Sequence, residues 1–409
     1  MPLSSPPEWQ NFNPSLMQLK TIQDLDLKGK RVLIRADLNV PLKNGQVQDD
    51  TRIQALIPTL KLCVDKGAKV ILMTHLGRPK GAVVDSLKTD VLLEGLEELS
   101  GKKISKVDGC VEDFVSIAVD SLEEGEVLLL ENTRFYPEEK YNDSEFSKKL
   151  AGLADLYIND AFGAAHRAHA STQGVTEYLP SYAGLLMARE VEVLSQVLGS
   201  PKGPVCLLVG GAKIDTKIGV LQHFLKVADY FLIGGALANT FLAAEGFDVG
   251  SSLYQEDKIQ VARDFLLSAE SKREFVYLPV DVIVADEISN DAEALDIKPE
   301  GVEGSMKILD LGSLTIETFK KCIAEAGTII WNGPMGLYEF APFEAGTREI
   351  VKAIVESNAD SIVGGGDSID AIKKYGYGQK DFTHISTGGG AMLEFLEGKK
   401  LPALVALKA

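Results

Sequence analysis

Short apolar runs alternate with segments of helical periodicity along almost the whole chain. Arg31–Asp37 encloses Val32, Leu33 and Ile34 and reads as a buried strand, and Arg52–Lys66 then sets Ile53, Leu56, Ile57 and Leu60 at helical spacing. Lys69–His75 reads as a second strand, Leu87–Leu99 as a second helix stopped by Gly101, and Val127–Glu131 and Leu156–Asp160 as further strands. The pattern restarts after Pro201, with predicted strands at Val205–Val209, Tyr230–Ile233, Phe275–Leu278, Thr328–Trp331, Ser361–Val363 and His384–Ser386, and helical segments between most of them. Strands separated by helix-length crossovers predict an α/β fold, with parallel sheets covered on both faces.

Between the halves, Leu185–Leu198 carries Leu186, Val191, Leu194, Val197 and Leu198 with Arg189, Glu190 and Glu192, and stops at Gly199-Ser200-Pro201. The prediction is two Rossmann-like parallel-sheet domains joined by an interdomain helix and hinge. The domains span 1–185 and 201–390, with the helix and linker over 186–200. The halves share a style but no residue-level repeat.

The composition is ordinary for a globular chain of 409 residues, 45% apolar and 25% charged. A net charge of −17 argues against a nucleic-acid or membrane-surface binder and, taken whole, against anionic substrates. The distribution changes that picture. Six of the ten arginines fall in residues 1–185, and Arg52, Arg78, Arg134 and Arg167 each follow a predicted strand or open a helix. The acidic total therefore describes the solvated surface, not the strand ends. Cys63, Cys110, Cys206 and Cys322 are far apart and form no CxxC pair, so zinc, iron–sulfur and disulfide sites are not expected and a reducing compartment fits. Met1–Leu16 lacks the apolar core of a signal peptide, and no stretch approaches the ~18 apolar residues of a membrane span.

Ligands of open α/β sheets bind at the carboxyl ends of the strands. In the first half those ends deliver Asp37 to Pro41, His75 to Pro79, Asn132 to Phe135 and Ala161 to His169, which brings several arginines and histidines to one sheet edge. Arginine presents a planar donor fork matched to carboxylate and phosphate, so this edge is a candidate anion pocket. Metal ligation by His166 and His169 is not expected, because no carboxylate stands at ligand spacing.

The second half delivers glycines: Gly210-Gly211-Ala212-Lys213, Gly234-Gly235, Gly364-Gly365-Gly366-Asp367-Ser368 and Gly388-Gly389-Gly390. Such loops let backbone N–H groups approach phosphate. Lys213 and Lys217, four residues apart, are expected to share a helix face. Asp367 can take Mg²⁺ on a nucleotide's phosphates, and Glu339 can accept hydrogen bonds from a ribose. Trp331 reads as core. An arginine-rich pocket in one domain and glycine-rich phosphate loops in the other suit phosphoryl transfer, where positioning and cationic stabilisation do most of the catalysis.

At this point a resemblance emerges. RADLNVP, DDTRI, THLGRP, ENTRF, DAFGAAHRAH, GGAKIDTK, WNGPMGLYE, GGGDS and STGGGAMLEFLEGKKLP follow one another from Arg35 to Pro402. Together they resemble phosphoglycerate kinases of the bacterial branch. The resemblance implies reversible transfer between 1,3-bisphosphoglycerate and ADP, giving 3-phosphoglycerate and ATP, with Mg²⁺, by in-line transfer after hinge closure. It assigns 3-phosphoglycerate to Asp37, Asn39, Arg52, His75, Leu76, Gly77, Arg78, Arg134 and Arg167. It assigns the nucleotide to Gly211, Lys213, Lys217, Gly235, Asn332, Glu339, Gly365, Gly366, Asp367 and Ser368. Arg52, Lys213, Gly366 and Gly389 meet the transferring group, with the amides of Gly365, Gly388 and Gly390 near it, and Asp367 takes the metal. A tail over 391–409 is expected to pack back on the first domain, and a cytoplasmic monomer without nucleic-acid or membrane partners is expected.

Two departures are small: Ala36-Asp37-Leu38-Asn39 keeps both polar residues of the family's pattern, and Ser368 keeps a hydroxyl where Thr is common. Residues 1–16 have no clear counterpart and are expected to be weakly ordered or peripheral. Two alternatives stand beside this reading. A two-domain dehydrogenase is opposed by the missing GxGxxG. A non-catalytic nucleotide-binding scaffold of the same fold is opposed by the intact Arg52, Lys213 and Asp367.

Overall fold

The computed structural model describes residues 19–408, so the expectation for residues 1–16 falls outside the described chain. The chain divides into two compact units. Of the described residues, one unit comprises those up to Ser195 together with those from Lys400 onward, and the other is Gln196–Lys399.

The first unit is built on strands β1 (Arg31–Ala36), a two-residue hairpin of β2 (Leu42–Lys43) and β3 (Gln46–Val47), then β4 (Lys69–Met73), β5 (Ile104–Lys106), β6 (Val127–Leu129), β7 (Leu156–Asp160) and β8 (Ser181–Ala183). Six of them form one sheet in the order β5-β6-β4-β1-β7-β8, and every pairing in it is parallel. The central strands are buried along almost their whole length, which is why they read as unbroken apolar runs instead of alternating ones.

The predicted helix over Leu87–Leu99 is interrupted. Thr89–Leu92 is a 3-10 turn and the α-helix runs over Leu93–Ser100. Thr89 is anchored to the neighbouring strand end at that turn: its N–H donates to Glu131 at 2.9 Å and its hydroxyl to the Leu130 carbonyl at 3.0 Å.

The second unit carries β9 (Val205–Val209), β10 (Tyr230–Ile233), β11 (Val276–Tyr277), β12 (Val282–Ala285), β13 (Leu295–Ile297), β14 (Lys307–Leu311), β15 (Thr328–Asn332), β16 (Asp360–Gly364) and β17 (His384–Ser386). Its main sheet is again six parallel strands, β11-β10-β9-β15-β16-β17. The all-parallel expectation needs one correction here. β13, β12 and β14 form a separate antiparallel sheet. These strands are short and partly exposed, so their alternation is too weak to be told from a loop.

The helix Leu185–Gly199 spans the division, which falls after Ser195. The segment that joins the first unit at the C-terminal end starts at Lys400, later than the expected start near 391, and the helix Gly390–Leu396 counts with the second unit. The tail is fastened by the Ala403 N–H on the Ala165 carbonyl at 3.1 Å and by a bridge between Leu19 and Lys408.

Asp160, at the end of β7, underlies the start of the spanning helix. It accepts from the Met187 N–H at 3.1 Å, and Gly184 has no side chain to collide with its carboxylate. Burial pushes its pKa up to about 7 against hydrogen bonds from Thr59 and the Met187 and Leu186 amides. The folded value lies above the unfolded one, so this group takes stability away as pH climbs from about 4 to about 7, and no more beyond. Asp160→Asn should therefore gain on the parent protein by about 2 kcal/mol between pH 5 and pH 8 in urea unfolding. An equal gap at both pH values would show that Asp160 is ionised throughout.

Candidate functional site

Each unit gathers polar side chains at the carboxyl ends of its parallel strands. In the first, β1 carries Arg35, and Asp37 follows one residue past its end, two residues on from Arg35. Arg35 is 1% exposed. Its Nε donates to the Ser171 hydroxyl at 2.8 Å, and its NH2 lies 2.9 Å from Nδ1 of His75, at the end of β4.

Arg52 sits in the first turn of the helix Thr51–Asp65, where the macrodipole disfavours a cation, and it pairs with the buried Asp37. Gly163 lies against this pair, where any Cβ would collide with Asp37. Arg134, 5% exposed, donates through NH1 to the Gly77 carbonyl at 2.8 Å, and Arg167 donates through Nε to His166 at 3.1 Å.

These cations converge. Burial first, then Arg35, Arg134, Arg167 and Arg52, drive His75 well below its usual pKa, so its ring is neutral. Burial with Arg167 and Arg35 lowers Arg134 to about 10, and burial with Arg167 lowers His166 to about 4. Three buried atoms here have no partner among the described residues: Asp37 Oδ1, Arg134 Nε and His166 Nδ1. Asp37 Oδ1 is an acceptor, Arg134 Nε is a cationic donor, and the neutral His166, which accepts at Nε2, is a donor at Nδ1, a set that suits an anion bearing a hydroxyl.

The loop backbone is braced around this cluster. Asn39 Oδ1 accepts from the Gly77 N–H at 2.8 Å, while Asn132 accepts from Leu76 N–H at 3.2 Å and donates to its carbonyl at 2.7 Å. Asn39, Leu76 and Gly77 thus shape the pocket through the backbone. Arg78 is exposed and has no side-chain partner among the described residues. Asp90, Asp108 and Glu131 come within reach of one metal ion, but Lys106 Nζ already pairs with all three, so their carboxylates are engaged by a cation of the chain itself.

In the second unit the glycine loops lock together. The Gly211 N–H donates to the Pro334 carbonyl at 2.8 Å and the Gly235 N–H to that of Met335 at 2.8 Å. Gly333, at φ +95°, packs its Cα against the Gly210–Gly211 peptide, an approach that a side chain would block. The N–H groups of Gly211 and Gly235 are therefore committed to carbonyls of the neighbouring loop. Asn332 Nδ2 holds the Gly364 carbonyl at 2.9 Å, and the Ser368 hydroxyl accepts the Gly333 N–H at 2.8 Å.

Gly211, Lys213, Lys217, Asn332, Gly365, Asp367 and Ser368 line a cleft of about 280 Å³. The shared helix face expected for Lys213 and Lys217 is not present. Ile214–Thr216 is a 3-10 turn, which leaves Lys213 exposed and Lys217 8% exposed, although both reach the cleft. Burial lowers Lys217 to about 8, partly offset by Asp367. Asp367 stands exposed in the first turn of the helix Gly366–Lys374, a favourable place for an anion. Gly366 and Gly389 open consecutive strand-end helices with open space about them, outside the lining of this cleft.

Beside the cleft, and sharing Gly211, Ala212 and Asp367 with it, is a second cavity of about 530 Å³. Ala236, Leu253, Ile288, Leu309, Leu311 and Met335 make its walls apolar, and Gly235 and the exposed Glu339 also line it. The antiparallel sheet, which the sequence pattern did not reveal, supplies Val282 and Lys307–Leu311 to this lining. An apolar slot beside a polar, glycine-rich cleft accommodates a flat base and its phosphates.

Sequence reasoning also missed Arg35, Glu139, Ser171 and Gly163. Arg35 carried a usable signal, its two-residue offset from Asp37. Glu139 and Ser171 meet only through the fold.

Comparison with known proteins bears on this arrangement. The phosphoglycerate kinase family model matches residues 22–399. The phosphoglycerate kinase of Dictyoglomus turgidum is 52% identical over 396 residues, covering 96% of this chain and all of that protein. That of Pelotomaculum thermopropionicum is 47% identical over 391 residues, covering 96% and 99%. The solved phosphoglycerate kinase of Coxiella burnetii matches with a TM-score of 0.85 at 40% identity, covering 95% of this chain and 99% of that one. The Pyrococcus horikoshii structure matches with a TM-score of 0.86 at 34% identity, covering 95% and 98%.

The packing of Gly163 against the Asp37–Arg52 pair has a measurable consequence. Gly163→Ala should leave cooperative unfolding intact, because the glycine lies in the short 3-10 turn Phe162–Ala164 outside the sheet, yet displace the ion pair and weaken binding of a small phosphorylated carboxylate by roughly tenfold. Calorimetry showing unchanged affinity would mean that the pair yields without effect.

Proposed function

The chain belongs to the phosphoglycerate kinase family, and from that premise we propose how its own residues carry the reaction. The activity is the glycolytic and gluconeogenic transfer of a phosphoryl group between 1,3-bisphosphoglycerate and ADP, yielding 3-phosphoglycerate and ATP. The protein is a phosphotransferase with a carboxyl group as acceptor, and its substrates are small molecules.

One observation carries the assignment of residues. Arg35, Arg52, Arg134 and Arg167 converge on a neutral His75 in a chain whose net charge is −17. Cations crowded that closely need an anion to relieve them. We assign 3-phosphoglycerate to this pocket, held by Arg52, His75, Arg78, Arg134 and Arg167, with Asp37 Oδ1 accepting from a substrate hydroxyl and Asn39, Leu76 and Gly77 shaping the backbone. The nucleotide takes the second unit. Its base lies in the apolar cavity, its ribose near Glu339, and its phosphates in the cleft with Lys213 and Lys217.

A substrate carboxylate is already nucleophilic, so no general base is required. Arg52 and Lys213, with the amides near Gly366 and Gly389, are placed in the proposal to stabilise the charge that spreads over the three transferring oxygens. Asp367 fits Mg²⁺ as a single hard carboxylate beside phosphate oxygens. When bound, the ion neutralises charge on the nucleotide's terminal phosphates. Transfer between ligands held by two units calls for closure about the connecting helix, and that closure is part of the proposal. So are a cytoplasmic location and a monomeric state without nucleic-acid or membrane partners. Four unpaired cysteines fit a reducing compartment, and no described helix is long and apolar enough to cross a membrane.

Coupled consumption of ATP with 3-phosphoglycerate tests the assignment. Arg52→Ala should lower kcat by about 10²–10³-fold, as the loss of a transition-state donor does, and near-normal kcat would remove Arg52 from that role. A second test uses pH. The protonated form of Lys217 is the one that attracts phosphate, and its pKa is lowered to about 8 by burial. ADP affinity should therefore be level below pH 8 and fall above it, while Lys217→Arg should flatten the profile. An unaltered profile in calorimetry would place the titration elsewhere.

A further inference from the structure

Behind the acid pocket runs a chain of buried polar groups to which the reaction as described gives no role. Glu139 lies in the single helical turn Pro137–Lys140 and has no exposed surface. Its Oε2 accepts the Ser171 N–H at 2.9 Å and its Oε1 the Ser171 hydroxyl at 2.6 Å. The Ser171 oxygen accepts from Arg35 Nε at 2.8 Å, and Arg35 NH2 reaches His75 Nδ1 at 2.9 Å. His169 Nδ1 stands 3.6 Å from Glu139 Oε1.

The direction of this chain follows from the donors. A guanidinium has N–H groups and no acceptor, so His75 Nδ1 must accept, and the neutral ring carries its proton on Nε2. Arg35 therefore selects the tautomer. Arg35 is itself a buried cation beside a neutral ring, and a buried cation without an anion is costly. Glu139 supplies that anion one serine away. Burial alone would raise Glu139, but the neighbouring His169, the charge of Arg35 and the hydrogen bonds from Ser171 outweigh it and hold the carboxyl below its usual value.

We infer that Glu139 is a positioning residue for the acceptor substrate: acting through Ser171 and Arg35, it holds His75 in the tautomer that presents Nε2–H to the substrate's anionic group. The inference rests on the placement of 3-phosphoglycerate beside His75. Glu139 touches neither substrate in this account, and its effect is on the orientation and protonation pattern of a ring that does.

The test is Glu139→Gln, which keeps volume and an acceptor for Ser171 while removing the charge. The KM for 3-phosphoglycerate should rise about tenfold, the loss of one oriented hydrogen bond to an anion, while the KM for ATP stays within twofold. In ¹⁵N spectra, the His75 signals, assigned by their loss in His75→Ala, should move from a single tautomer toward a mixture. If Glu139→Gln fails to unfold cooperatively, Ser171→Ala cuts the same chain without removing a charge and should shift both readouts in the same direction. The inference is overturned if the folded variant keeps the 3-phosphoglycerate KM within twofold and the His75 signals unchanged while His75→Ala raises that KM. If His75→Ala leaves the KM unchanged, the placement of the substrate fails instead, and the nitrogen signals alone decide whether Glu139 sets the tautomer.

Discussion

Like-charge crowding at one sheet edge is the constraint on which the first unit depends. Arg35, Arg52, Arg134 and Arg167 are close enough to act together on His75, and two of the four are almost fully buried. Such a cluster repels itself and carries a desolvation cost. The fold meets this in three ways. Asp37 pairs with Arg52, Glu139 reaches Arg35 through Ser171, and the histidine responds by staying neutral. What remains unsatisfied, on Asp37 and Arg134, is capacity that a ligand can meet.

The second unit answers a different demand with the same architecture. Its loops must approach one another and a polyphosphate closely, so the residues at the points of contact have no side chains. Gly333 against Gly210 and Gly211, and Gly235 against Gly211, are contacts that a Cβ would forbid. Several of the glycines that resemble phosphate cradles are thus braces between loops. The cation placed there, Lys217, is buried enough to lose its proton near pH 8, so its charge is firmest when phosphate is beside it.

Much of this was legible from one sequence. The strands β1, β4, β7, β9 and β10 lie where apolar runs predicted them, because a strand buried on both faces has little polar alternation to obscure it. The arginines and histidines after those strands were readable as a cluster because chain order delivers strand ends to one edge. The turn at Thr89 was not readable, since its partners Glu131 and Leu130 are 42 and 41 residues away. Nor was the antiparallel sheet that lines the apolar cavity, whose strands are two partly exposed runs and one short edge.

Hydrophobic periodicity, glycine placement and the positions of a few cations by themselves determined the fold class, the two-part organisation and the kind of chemistry, because each is a local pattern with a local physical meaning. Tertiary structure alone decided which glycine amides are spent on neighbouring loops, that Lys213 is exposed while Lys217 is buried, and that a carboxylate at 139 governs an arginine at 35. Those outcomes depend on desolvation and on hydrogen bonds between residues distant in the chain. Neither quantity exists until the chain has folded and the water has left.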